Sequence, residues 1–140
     1  AAPARAALAA RWDHAFSALR AAVSPETVLR RDEPLARKTT FGLGGAARLY
    51  AEPASVADLA ALLRAAHALA LPVLPLGRGS NLVVPDEGVD ALVFSLRSPA
   101  WESFEPLGDG RIRAGAGLRL KELCGKAAKS GLPGFEFMEG

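Results

Sequence analysis

The 140-residue sequence predicts an α+β fold in which a mixed β-sheet is covered by helices. Three observations point to this class: a helical stripe between two strand-like segments, a hairpin signal further along, and an amphipathic N-terminal segment. A helix that joins two strands of one sheet makes them parallel, whereas a hairpin makes its strands antiparallel. A single domain of this length is expected to bury roughly two thirds of its unfolded surface.

The N-terminal segment predicts an amphipathic helix that ends near Ser24 and Pro25, because proline disfavours helical geometry in the residue before it. Its large apolar residues recur at spacings of four, three and four, which places them on one helical face. These residues are Trp12, Phe16, Leu19 and Val23. The segment is also rich in alanine and arginine and has no acid before Asp13, so a transit peptide is the alternative interpretation. Residues 30–40 are expected to be charged and irregular.

A strand, a helix and a second strand are predicted between residues 47 and 76. Residues 47–51 form the first strand. Ser55, with Asp58 three residues later, resembles a capping box at the start of a helix. The apolar stripe that follows has helical spacing and consists of Val56, Leu59, Leu62, Leu63, Ala66 and Leu69. Residues 73–76 form the second strand, which we expect to be parallel to the first.

The second half of the chain predicts further strands and one more helix. Residues 82–84 and 91–96 are strand-like, and Asp109-Gly110 between residues 101–104 and 111–114 is a hairpin signal. The inner face of the helix after residue 117 is predicted to consist of Leu118, Leu120, Leu123, Cys124, Ala127 and Ala128. Gly131 follows as the expected C-terminal cap.

Composition and charge exclude several classes of function. The 17 basic and 15 acidic residues give a net charge of +2, and no run of five like charges occurs, so nucleic-acid and anionic-membrane binding are not favoured. The single cysteine, Cys124, excludes an internal disulfide and is expected to be a small core residue. No apolar stretch approaches the ~18 residues that a membrane-spanning helix needs.

The most unusual segment is Gly77-Arg78-Gly79-Ser80-Asn81, residues 77–81, which we call the glycine loop. Backbone N–H groups can bind a phosphate closely where glycines leave the approach open, and Ser80 and Asn81 add side-chain donors. The alternative is a tight connection in which Gly77 and Gly79 only permit a positive φ. A strand rather than a helix is predicted to follow, which argues against a P-loop and against a G-x-G-x-x-G fingerprint.

Four segments together resemble a known family. They are residues 39–45 (TTFGLGG), the glycine loop with Leu82, Val83, Val84, Asp86 and Gly88 behind it, residues 113–117 (RAGAG), and residues 131–137 (GLPGFEF). In this order and spacing they resemble the N-terminal part of the UDP-N-acetylenolpyruvoylglucosamine reductase family. The resemblance covers about residues 37–140. It implies two regions, a helical extension in residues 1–36 and an FAD-binding domain of the vanillyl-alcohol-oxidase type in residues 37–140.

The resemblance implies that FAD is bound noncovalently. Carried over by position, the residues around the pyrophosphate would be Gly77, Arg78, Gly79, Ser80, Asn81 and Leu82. The residues that pass close to the flavin would be Gly115, Ala116 and Gly117. Leu76 and the segment that begins Thr40-Phe41-Gly42 would help to wall the site. The two histidines, His14 and His67, lie in predicted helices, so no covalent flavin link is expected in the glycine loop.

The family's activity, as the resemblance implies it, is the NADPH-dependent reduction of UDP-N-acetylglucosamine enolpyruvate for bacterial peptidoglycan, in the cytoplasm. The substrate domain and its catalytic residues would follow residue 140, so these 140 residues alone are expected to be inactive. Two alternatives remain open: a flavin-free scaffold or interaction domain derived from this fold, and another flavoprotein oxidase of the same superfamily. The absence of a histidine in the glycine loop argues against the second alternative.

Overall fold

The computed structural model describes residues 2–139, and their side chains from residue 6 to residue 138. The chain divides into two compact units, Ala1–Ser95 (unit 1) and Leu96–Gly140 (unit 2). Its main elements are α1 (Ala2–Ala22), β1 (Val28–Pro34), β2 (Ala46–Glu52), α2 (Val56–Ala68), β3 (Val73–Pro75), β4 (Val89–Phe94), β5 (Phe104–Gly108), β6 (Arg111–Ala114) and α3 (Leu120–Lys129). Short 3₁₀ helices lie at Leu35–Lys38, Pro99–Trp101 and Glu136–Glu139. The predicted α+β class is confirmed.

Unit 1 contains a four-stranded mixed sheet with the strand order β1-β2-β4-β3. β1 runs antiparallel to β2, whereas β4 pairs in parallel with both β2 and β3. The two strands that flank α2 in the chain are therefore parallel, as predicted. They do not pair directly, because β4 lies between them.

The two faces of this sheet bury different residues. Tyr50 of β2 and Val93 of β4 are cross-strand partners in one apolar cluster. The cluster consists of Leu35, Ala47, Tyr50, Leu76, Val84 and Val93, with Val89 packed against it. Leu49 and Leu92 are also partners and are fully buried, and alternation along the strands directs them to the opposite face. The segment between β3 and β4 thus covers the Tyr50 face through Leu76 and Val84.

Helix α1 packs on unit 1 as an amphipathic helix. It contacts α2, β1 and β2. Trp12 and Leu19 are buried, and Phe16 and Val23 are partly buried, so the predicted apolar face is confirmed. The helix ends at Ala22, close to the predicted end before Pro25.

A buried carboxylate links the segment after α1 to the start of α2. Ser55 is the N-cap of α2, and its Oγ accepts the N–H of Asp58 at 3.1 Å, which is the N-cap half of the predicted capping box. The Asp58 carboxylate accepts the backbone N–H of Ser24 at 2.7 Å and the Ser24 hydroxyl at 2.8 Å. These hydrogen bonds, led by that of the Ser24 N–H, lower the pKa of Asp58 although its burial opposes the shift.

Two predictions for unit 1 are wrong. Residues 30–40 are not irregular, because β1 extends from Val28 to Pro34 and a 3₁₀ helix follows it. β1 is an edge strand with mostly exposed or half-buried residues, so its sequence lacks an apolar alternation. Residues 82–84 are not a strand: Leu82 and Val83 are exposed, and only Val84 enters the core.

Unit 2 contains the β5–β6 hairpin, whose turn includes Asp109 and Gly110 as predicted. Trp101 was expected at the start of the first strand, but it lies in the 3₁₀ helix Pro99–Trp101 and is buried. The strand therefore begins only at Phe104.

Helix α3 is shorter than predicted, and its apolar face is narrower. Leu118 precedes the helix, and Leu120 and Ala128 are exposed, whereas Cys124 and Ala127 are buried. The predicted cap is confirmed. Gly131 has a φ of +69°, and the N–H groups of Gly131 and Leu132 donate to the carbonyls of Ala128 and Ala127 at 3.0 and 2.9 Å. This is a Schellman motif.

Candidate cofactor site

The glycine loop leaves the sheet at a fixed point. The N–H of Leu76 donates to the carbonyl of Phe94 at 2.8 Å, which extends the β3–β4 pairing by one residue. The Leu76 side chain is 5% exposed and belongs to the Tyr50 cluster. The loop therefore begins from the carboxyl end of a parallel strand, which is where α/β sheets bind ligands.

Gly79 is a glycine because the fold requires one. Its φ is +70°, a conformation that L-residues rarely adopt. A Cβ at this position would lie 2.5 Å from the carbonyl oxygen of Lys38 and 2.8 Å from the Cα of Thr39. Its carbonyl accepts the N–H of Thr40 at 3.0 Å. Gly79 thus holds the loop against residues 38–40.

Gly77 differs from Gly79 in its backbone conformation and in the space around it. Its φ lies outside the left-handed region, and a Cβ added here would meet no atom within 4 Å. Gly77 is exposed, as are Arg78, Ser80 and Asn81, and Leu82 is 41% exposed. Neither steric overlap nor a left-handed φ therefore requires a glycine at residue 77, and space is present where its side chain would lie.

Residues 39–45 run beside the loop and carry an exposed apolar surface. Thr40 bonds to Gly79, and Gly45 donates its N–H to the carbonyl of Pro85 at 2.8 Å, so residues 39–45 are joined at both ends to residues 79–85. Phe41, Leu43 and Val83 are 57%, 64% and 71% exposed. Exposed side chains of this size, concentrated in two joined segments, are typical of a binding surface.

A buried hydroxyl also lies beside the loop. The Oγ1 of Thr39 is inaccessible to solvent and has no hydrogen-bond partner among the described residues. Buried polar groups are nearly always satisfied by protein, water or ligand. Sequence analysis did not select Thr39, or its neighbour Lys38, as a site residue, because only the contact with Gly79 connects them to the loop.

The 115–117 segment lies in unit 2 and is held by the backbone around Trp101. The N–H groups of Gly115 and Gly117 donate to the carbonyls of Ser103 and Trp101, both at 2.9 Å. A Cβ at Gly115 would overlap the carbonyl oxygen of Trp101, and one at Gly117 would overlap that of Leu96. Ala116 is exposed. The fold itself requires both of these glycines.

The cysteine and the two histidines considered in the sequence lie outside the glycine loop and the 115–117 segment. Cys124 is buried, and its thiol donates to the carbonyl of Phe135 at 3.1 Å, which confirms it as a core residue. His14 and His67 are exposed on α1 and α2. Among the side chains described, from residue 6 to residue 138, no cluster that could hold a metal ion occurs. No helix between residues 2 and 139 is long and apolar enough to cross a membrane.

Comparison with known proteins adds two findings. The model of the FAD binding domain family matches residues 47–139. The chain is 42% identical to the UDP-N-acetylenolpyruvoylglucosamine reductase of Pelobacter propionicus over 113 residues, and 45% identical to that of Phenylobacterium zucineum over 112 residues. These matches cover 81% and 80% of the chain but only 38% and 37% of the two relatives.

The chain thus spans about two fifths of the length of the curated relatives that it matches. The resemblance predicted from four motifs is confirmed, since the reductases are similar to the chain over most of its length. Because the family model covers about two thirds of the sequence, the chain belongs to the FAD binding domain family.

Proposed function

We propose that the chain binds FAD noncovalently, with the glycine loop at the pyrophosphate, as the flavin-binding part of a UDP-N-acetylenolpyruvoylglucosamine reductase. The observation that carries this proposal is Gly77, where neither a left-handed φ nor a clash requires a glycine and an added Cβ would meet no atom within 4 Å. The family match supports FAD as the group that approaches it.

The residues of the loop suit different parts of this task. Gly79 maintains the loop conformation, and Gly77 lets the pyrophosphate come close to backbone N–H groups. Ser80 and Asn81 are exposed and can donate from their side chains. A hydrogen bond to a charged group contributes roughly 1.5–3 kcal/mol, so three or four such bonds would hold a pyrophosphate without an ion pair. Arg78, which is exposed, would then add only an electrostatic attraction to the pyrophosphate that water and salt screen.

The 115–117 segment is proposed, by resemblance, as a flavin-contacting stretch of unit 2. Gly115, Ala116 and Gly117 were assigned by resemblance, and their fixed backbone supports a role in shaping a surface. Leu76 would anchor the loop from within the core and Leu82 would continue the contact. The domain is proposed to extend from residue 37, with residues 1–36 as an N-terminal extension that includes β1.

For the parent protein we propose the reaction that the relatives' name indicates, with NADPH as reductant and UDP-N-acetylglucosamine enolpyruvate as substrate, in the cytoplasm. Bound FAD would supply hydride transfer between the two. These 140 residues are expected to bind FAD without turnover, because the matched relatives are about twice as long. The flavin-free scaffold is the competing proposal.

A titration of the chain with FAD tests the proposal. Binding should quench flavin fluorescence and give a structured absorbance band. Gly77→Leu should raise the Kd about a hundredfold, because the leucine would cover the donors of two hydrogen bonds. Its matched control is Gly125→Leu on α3, where a Cβ also meets no neighbour within 4 Å.

The control variant should bind FAD as the wild type does. If Gly77→Leu also bound normally, the pyrophosphate would lie elsewhere. A wild-type chain that left flavin fluorescence unchanged at high protein concentration would favour the scaffold.

A further inference from the structure

The side chain of Lys38 lies in a largely buried cluster of charged and aromatic groups. It is 12% exposed, and its Nζ lies 3.1 Å from Oε1 of Glu33 and 3.9 Å from Oε1 of Glu52. The same Nζ lies 4.1 Å from the centre of the Tyr50 ring. The Tyr50 hydroxyl donates to Glu52 at 2.7 Å. Glu33 belongs to β1, whereas Tyr50 and Glu52 belong to β2.

This arrangement fixes the C-terminal end of the 3₁₀ helix Leu35–Lys38 to the sheet. An ammonium that has left water needs partners in good geometry, and here two carboxylates and an aromatic face supply them. The other end of the 3₁₀ helix is fixed by Leu35, which is 2% exposed and donates its N–H to the carbonyl of Gly45 at 3.1 Å. The main chain at residue 38 therefore has little freedom to move.

The main chain of Lys38 in turn supports the glycine loop. Its carbonyl oxygen lies where a Cβ of Gly79 would come within 2.5 Å, so the two backbones are in close contact. Two residues later, the N–H of Thr40 donates to the carbonyl of Gly79 at 3.0 Å. One residue thus joins the charged cluster on the sheet to the loop.

We propose that Lys38 is a positioning residue: its side chain, held by Glu33, Glu52 and Tyr50, fixes residues 38–40 and through them the cofactor-binding conformation of the glycine loop. The attachment of the glycine loop through Lys38 is a property of this chain alone and does not depend on any cofactor. The consequence for cofactor affinity rests on the function proposed above. Lys38 is not required to touch the cofactor.

The test is amide hydrogen exchange at Thr40, whose N–H reports the attachment of the loop, combined with FAD titration. Leu92 serves as the reference amide, since its N–H donates to Pro72 at 2.9 Å in the core of the sheet. In Lys38→Met, the exchange rate of Thr40 should rise about tenfold more than that of Leu92. The Kd for FAD should rise about tenfold as well, since the loop must then be ordered on binding.

Two variants serve as controls. Lys38→Arg keeps the positive charge, so it should retain both Thr40 protection and FAD affinity. Arg48→Met removes a charge that pairs on the surface of β2 with Asp32 and Asp90, and it should also change neither readout. If Lys38→Met does not fold, Glu33→Gln removes the partner charge at 3.1 Å and should accelerate Thr40 exchange to a smaller extent.

The outcomes separate the two proposals. Equal changes at Thr40 and Leu92, or none at Thr40, would overturn the positioning role. Faster Thr40 exchange with unaltered FAD affinity would also overturn it, because the cofactor would not depend on the loop's attachment. If the wild type binds no FAD, the proposed function fails, and Thr40 exchange alone still decides whether Lys38 holds the loop.

Discussion

The glycine loop and the 115–117 segment look alike in the sequence, as two small glycine-rich stretches that each follow a strand, yet their glycines have different causes. Gly115 and Gly117 are both required by backbone that passes around Trp101. In the glycine loop only Gly79 is required in this way, whereas Gly77 faces open space. The comparison teaches that the fold alone accounts for Gly79, Gly115 and Gly117, so that within these two stretches only Gly77 is left for a ligand to explain.

Three substitutions to alanine would break this comparison if it is wrong, and those at Gly79 and Gly117 carry the largest expected effects on stability. Gly79→Ala should lower the free energy of unfolding by about 3 kcal/mol, from the positive φ and the overlap with Lys38. Gly117→Ala should lower it by about 2 kcal/mol through overlap alone. Gly77→Ala should change it by less than about 0.5 kcal/mol.

Urea unfolding followed by tryptophan fluorescence measures all three. The chain has two tryptophans, and one lies in each unit: Trp12 in α1 and Trp101 beside the 115–117 segment. Trp101→Phe leaves a reporter for unit 1 and Trp12→Phe leaves one for unit 2. A Gly77→Ala variant as unstable as Gly79→Ala would remove the distinction between the two glycines.

Because substitution of Gly79 is expected to destabilise the fold, Gly79 is a poor position for testing cofactor contacts.

A smaller effect is expected from the buried carboxylate of unit 1, for which unit 2 shows no counterpart between residues 96 and 138. The folded pKa of Asp58 is lowered, so its stabilisation is present above its unfolded pKa of about 3.9 and is lost as the pH falls through the folded value. Asp58→Asn should lower Tm at pH 7 by about 5 °C and flatten the dependence of Tm on pH below 4.

Thermal melts of the Trp101→Phe background between pH 2.5 and 7 measure this dependence through Trp12. The control is Glu26→Gln, which removes an exposed carboxylate near Ser24 and should leave the dependence of Tm on pH below 4 unchanged. If Asp58→Asn showed the same fall of Tm below pH 4 as the wild type, the acid sensitivity of unit 1 would belong to other groups.

The smallest effect is expected at Arg78, and it sharpens the role of the loop's backbone. Because Arg78 is exposed, Arg78→Gln should weaken FAD binding by about fivefold or less at low salt, and the difference should shrink as salt is added. Titrations at two ionic strengths measure this. A loss as large as that of Gly77→Leu would mean that an ion pair, and not the backbone, holds the pyrophosphate.

Much of the fold follows from local signals in the sequence. Ser55 and Gly131 mark helix ends through hydrogen bonds that their own neighbours complete, and Asp109-Gly110 closes a hairpin whose strands are adjacent in the chain. β1 could not be predicted in this way, because an edge strand needs no apolar face. For Leu82 and Val83 the sequence predicted a strand that is absent, since β-favouring residues on an exposed loop resemble a strand.

For the candidate site, the sequence supplies a prediction of the residues but not of the contacts that support them. The glycine pattern and the family motifs select residues 77–82 and 115–117 from sequence alone. The supporting contacts of Lys38 and the unpartnered hydroxyl of Thr39 could not be predicted. They depend on how residues 38–40 pack against Gly79, about forty positions away in the chain.

The charged edge strand β1 has a consequence for how the protein can be shortened. A chain begun at residue 37 would lose β1 and uncover the hydrogen-bonding edge of β2, which contains the apolar run Leu49, Tyr50 and Ala51. An exposed apolar edge of this kind pairs readily with another copy and leads to aggregation. The arginines and acids of β1 therefore keep the sheet from recruiting a foreign strand, and expression boundaries should retain them.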